Sequence, residues 1–107
     1  MSRKLVVLDS AKEEFIDIKS YVQRDFGDLT WNKINAEYKD AFRLIKNEPD
    51  SGSPIALLKD LGINNIKYRL VKQTRIVYEY DDRLILIHMF ISTRRDFATH
   101  LLKRLFR

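Results

Sequence analysis

Six residues in the C-terminal part of the chain have side chains from which chemistry could be built: Lys67, Arg69, Arg75, Arg94, Arg95 and His100. Cleavage of RNA by its own 2′-hydroxyl needs no metal. A base takes the proton, cations stabilise the crowded phosphate and an acid protonates the leaving oxygen. Arginine and lysine suit the middle role. A lysine whose pKa is lowered by neighbouring cations, or a histidine, suits proton transfer. A simpler reading stands beside this one, in which the same residues hold a phosphate or an acidic partner without any reaction.

The elements that must position them run through residues 66–96, whose period-two pattern reads as three short strands. Ile66, Tyr68 and Leu70 fall on one face, and Lys67, Arg69 and Val71 on the other. In the next run Ile76, Tyr78 and Tyr80 make the expected core side, with Arg75, Val77 and Glu79 opposite. The reading therefore predicts that Lys67, Arg69 and Arg75 share one sheet surface. Leu84 to Phe90 is nearly all apolar, as expected of a strand covered on both faces. His88 lies in that run, on the face assigned to Leu84, Leu86 and Phe90, and is expected to be a hydrogen-bonded core histidine.

Other chemistries are excluded by what the chain lacks. There is no cysteine, so no disulfide, thiolate zinc site or cysteine nucleophile is possible. Gly27, Gly52 and Gly62 are too scattered to cradle a phosphate, and His88 and His100 fall in no metal-ligand spacing, so neither cofactor nor metal is expected. The pairs Glu13-Glu14 and Asp81-Asp82 are explained by a helix's first turn and a hairpin turn. Charge is uneven: residues 1–65 carry 10 Lys+Arg against 11 Asp+Glu, whereas residues 66–107 carry 10 against 4. A basic C-terminal part suits nucleic acid or an acidic partner, and it suits solubility as well. At 107 residues the chain is expected to be one domain over its whole length. It has no run of ~18 apolar residues and no apolar leader, which points to the cytoplasm and away from a membrane.

The remaining elements supply a support. Arg3 to Leu8 reads as an opening strand that joins the sheet edge. Ser10 and Glu13 fit a capping box, followed by a helix with Ala11, Phe15, Ile18, Val22 and Phe26 as its core stripe and Gly27 as its stop. Asp28 or Thr30 is expected to cap a second helix after about three intervening residues. Its stripe is Trp31, Ile34, Tyr38, Ala41, Phe42 and Ile45, ending near Asn47 and Pro49. A loop over residues 49–54, another helical turn at 56–61, the three strands and a short basic C-terminal helix complete the order. The fold class is α+β: a small antiparallel sheet with an N-terminal helical hairpin packed on one face.

This layout resembles the RelE/ParE superfamily, the toxins of bacterial type II toxin–antitoxin systems. The segments that carry the resemblance are SAKEEFIDIKSYVQRDFG, KYRLVKQTRIVYEYDDRLILIHMF and STRRDFATHLLKRL, in that order. A cognate antitoxin, partly disordered until it folds onto the toxin, follows from the resemblance. ParE-like members poison DNA gyrase and are not themselves enzymes. RelE-like members cut ribosome-bound mRNA without a metal. In a RelE-like chain Lys67 and Arg69 match the paired basic positions, Arg75 the arginine opening the next strand, and Arg94 or Arg95 the arginine after the last. His100 stands near the C-terminal acid or base, with no tyrosine after Tyr80. The helical hairpin and the TRRDF…LLKRL ending favour the ParE-like branch. A non-toxic nucleic-acid-binding relative is the remaining alternative.

Overall fold

A computed structural model describes residues 3–106, and Arg107 of the basic C-terminal turn lies outside them. Five strands form one sheet in the order β1-β5-β4-β3-β2: β1 (Lys4–Val7), β2 (Ser53–Pro54), β3 (Ile66–Val71), β4 (Thr74–Tyr80) and β5 (Leu84–Ser92). Three of the four pairings are antiparallel, and the edge strand β1 runs parallel to β5. Two long helices, α1 (Asp9–Phe26) and α2 (Asp28–Asn47), lie between β1 and β2; α3 (Ala56–Asp60) precedes β3, and α4 (Phe97–Leu105) follows β5. The architecture is the expected α+β one.

Ile76, Val77 and Tyr78 are consecutive in β4 and all fully buried. Neighbouring strand residues point to opposite faces, so both faces of the sheet must be covered. One core joins Ile76, Tyr78, Ile85, Ile87 and Phe90 to α1 and α2. Phe15 is its hub, with ring centroids 5.1 Å from Tyr38, 5.2 Å from Phe90 and 5.6 Å from Trp31. Helical spacing thus does make these aromatics core, as edge-to-face and tilted pairs favour. The second core, on the other face, joins Ile66, Val77, Met89 and Ile91 to Leu58 of α3 and Leu101 of α4.

The helix starts differ from expectation. Ser10 and Glu13 form no capping box: α1 begins at Asp9 with Leu8 in the cap position and no side-chain cap. Leu8 still pairs with β5 through its N–H to the Ile87 carbonyl (3.1 Å), while its own carbonyl takes the Lys12 N–H (2.9 Å), so strand passes into helix with no residue spare for a serine cap. One residue separates α1 from α2 where about three were expected, and neither Asp28 nor Thr30 caps. Gly27 does both tasks at φ 90, a left-handed conformation that side chains disfavour. Its N–H closes α1 on the Val22 and Gln23 carbonyls, and its carbonyl receives the Trp31 N–H of α2.

Candidate functional site

Lys67, Arg69 and Arg75 do not share a face. The β3–β4 turn is Lys72-Gln73, so Val71 pairs with Thr74, Arg69 with Ile76 and Lys67 with Tyr78, while Arg75 pairs with Leu70. Paired residues of antiparallel strands point the same way. Lys67 and Arg69 therefore lie on the α1/α2 face, and Arg75 on the α3/α4 face.

On the first face the cations flank the loop after α2. Arg69 Nη2 donates to Ser51 Oγ (2.7 Å), and Ser51 Oγ donates to the Glu48 carbonyl (2.7 Å). Beside them Tyr78 Oη donates to the Pro49 carbonyl (2.5 Å) from full burial. Burial pushes the Tyr78 hydroxyl up to about 12 from its ordinary 10.0. A raised folded value means that stability is intact below pH 10 and is lost as the unfolded chain ionises between pH 10 and about 12. Thermal melts across that window should therefore lose up to about 1.4 kcal/mol per pH unit, and Tyr78→Phe should remove that part of the slope.

On the second face Arg75 is stacked. Its guanidinium carbon lies 4.5 Å from the Phe97 ring centroid and 5.5 Å from that of Tyr68, and those rings meet edge-on at 5.8 Å. Its Nε and Nη1 are buried without a hydrogen-bond partner among the described residues. Contact with ring faces replaces hydrogen bonds here, which holds the cation in place and keeps it under α4.

The third group lies at the end of β5. Arg94 is exposed, on the rim of an apolar groove of about 850 Å³ between the helical hairpin and the β3–β4 turn. Ile18, Tyr21, Val22, Phe26 and Ile34 line that groove. Phe26, expected in the core, is 59% exposed, and Tyr21 beside it is 49% exposed. Arg95 and His100 come together with Arg104, Glu14 and Asp17 around an adjoining hollow of about 290 Å³. The six expected residues are thus divided among three places.

Sequence reasoning missed the link that builds this last region. Val77 pairs with Met89 but Tyr78 pairs with Ile87, so His88 is the extra residue of a β-bulge. The bulge sends Phe90 to the α1/α2 face, and His88 stays on the other face, where Nε2 meets Glu79 Oε1 at 2.8 Å. His88 is accordingly hydrogen-bonded, but it does not share a face with Phe90. Across the bulge, Arg104 donates to the His88 carbonyl (2.7 Å) and to Glu14 Oε2 (2.7 Å), while Glu14 Oε1 accepts the Phe90 N–H (3.1 Å). Glu14 is therefore more than a first-turn acid, and Arg104 serves this link as well as the α4 dipole. No local pattern could have paired residues 90 positions apart.

A protein-family model described as the ParE toxin of type II toxin–antitoxin system, parDE, matches residues 5–97. The match runs from β1 to the first residue of α4. Among solved structures, one titled "Chromosomal ParDE TA system from P. aeruginosa" is similar with a TM-score of 0.65. It shares 9% identity, with 84% of this chain and 95% of that chain covered. That is a likeness of fold. No curated protein sequence matches the chain.

Proposed function

The chain belongs to the ParE toxin family of type II toxin–antitoxin systems, and on that premise we propose that it arrests bacterial growth by acting on DNA gyrase in the cytoplasm. A cognate antitoxin neutralises it. The observation that carries the choice of target is the division of the basic residues. A metal-free ribonuclease needs its phosphate-stabilising cations around one scissile bond. Here Lys67 and Arg69 lie on one face of the sheet and Arg75 on the other, beneath α4. Arg95 and His100 stand together, apart from both groups. RelE-like cleavage of ribosome-bound mRNA would have to bring these groups together.

The antitoxin's binding place in this reading is the groove lined by Ile18, Tyr21, Val22, Phe26 and Ile34. Exposed apolar surface of this extent beside cationic Lys72 and Arg94 suits a segment that folds on binding and brings acidic groups to the rim. Among the described residues no helix is long and apolar enough to cross a membrane.

Expression in bacteria without an antitoxin tests the target. Growth arrest with a DNA-damage response and intact transcripts is expected, and Lys67→Ala should weaken that effect no more than about fivefold because one surface charge is worth only about 0–1 kcal/mol. Cleavage of transcripts at ribosome-bound codons would overturn the gyrase reading. Unimpaired growth would overturn toxicity altogether.

A further inference from the structure

The two edges of β5 are of unequal length. β1 stops at Val7, opposite Ile87, whereas β5 continues to Ser92. Beyond Ile87 the β1 side of β5 has no strand beside it, and α1 and α4 leave an open notch there, the hollow of about 290 Å³. The hydrogen-bond phase fixes which backbone groups face it. Thr93 donates to the Gln73 carbonyl (2.8 Å), so the bonds to β4 fall on the Arg75–Ile91 and Val77–Met89 pairs. Phe90 and Ser92 therefore turn their N–H and C=O away from β4, toward the notch. Glu14 at the Phe90 N–H agrees with that direction, and the Ser92 carbonyl is taken by the Arg95 N–H (3.1 Å). Among the described residues, the Phe90 carbonyl and the Ser92 N–H are left without a partner.

We propose that this notch is a second docking site, at which an extended acidic segment of a partner protein adds as a short strand beside Phe90–Ser92. One free acceptor and one free donor at strand spacing match another peptide backbone. A nucleic-acid phosphate only accepts hydrogen bonds, so it could satisfy Ser92 but would set oxygen against oxygen at Phe90. Charge selects an acidic segment. Glu14 is already paired with Arg104 at 2.7 Å, and the notch runs on along α4 to Lys103 through the shared His100 and Arg104. Arg95 and Lys103, with exposed Arg94 next in the chain, then stand against Asp17 and against Asp96, whose carboxylate is held by Thr99 at the start of α4 near His100. The notch adjoins the apolar groove, with Ile18, Thr74 and Ser92 lining both, and its use does not depend on which target the toxin poisons.

The test is an NMR titration of the full chain with a capped peptide of alternating glutamate and valine. The Ser92 amide should shift and become protected from exchange. Three changes should each weaken binding at least about tenfold: lysine in place of glutamate, N-methylation of the peptide's alternate amides, and Ser92→Pro. The proline removes an N–H that β4 does not use. The N-methylated peptide decides the matter on unaltered protein should Ser92→Pro disturb the fold. No shift at Ser92, or undiminished binding of the N-methylated peptide, would overturn the proposal. So would equal shifts with single-stranded oligouridine, which would mark a phosphate site.

Discussion

Replacing Gly52 with alanine is expected to lower the melting temperature by about 15 °C. Gly52 has an ordinary extended backbone, so the requirement for glycine comes from a close approach. A Cβ at this position would overlap Tyr78 Oη and stand 3.0 Å from Tyr78 Cζ and 3.2 Å from Lys67 Cβ. Tyr78 cannot step aside, because it is fully buried in β4 with its hydroxyl on the Pro49 carbonyl. Either the loop after α2 lifts off the sheet or the hydroxyl loses its partner. Overpacking costs about 1–3 kcal/mol and an orphaned buried hydroxyl a similar amount, so roughly 3 kcal/mol for the two together is reasonable. At about 5 °C per kcal/mol for a domain of this size, the temperature shift follows. A cycle with Tyr78→Phe isolates the cause. Removing the oxygen relieves the shortest contact, so the double variant should be more stable than Gly52→Ala alone. Additive losses would mean that the clash is not the reason for glycine here.

That contact also shows why parts of the chain were legible and others were not. Strands 66–71, 74–80 and 84–92 stand out because alternation and β-branched residues mark them locally, and the helical hairpin stands out through its apolar stripes. The side-chain alternation expected within strands 66–71 and 74–80 is the one observed, whereas in 84–92 the bulge moves Phe90 off the face of Leu84 and Leu86. The error lay in the relative phase of two strands. With Val71 paired to Thr74, the residues opposite each other are 69 and 76 or 70 and 75, which separates Arg75 from Arg69. The assumption that one face is core and the other is solvent concealed this, since the sheet is covered on both faces. The basic cluster therefore looked like one site when it was three places. The His88 bulge lay beyond reach for a different reason: LILIHMF is apolar on both sides of the irregularity, so no alternation is there to break. The family resemblance depended on the order of elements, which is why it did not suffer from either error.

The same bulge sets the second large effect, which is expected at α4. Arg104→Met should destabilise the chain by about 2 kcal/mol and should do so locally. The Arg104 and Glu14 side chains are only 24% and 29% exposed, so the pair is partly shielded from water. Removing Arg104 leaves Glu14 without its counter-charge and the His88 carbonyl without its donor at a point where β5 has no strand neighbour on that side. Full burial would make such a loss about 3–5 kcal/mol, and the residual exposure lowers it. α4 has few other attachments: Leu101 and Leu105 at the second core, and Phe97 on Arg75 and Tyr68. Amides of α4 should thus exchange roughly thirtyfold faster in Arg104→Met, while those of β4 at the sheet centre change much less. Exchange that rises equally in α4 and β4 would instead mean that α4 opens only with the whole fold. A helix that opens alone would uncover Arg75 and Tyr68 together, making that cation available on a face from which the seated helix excludes it.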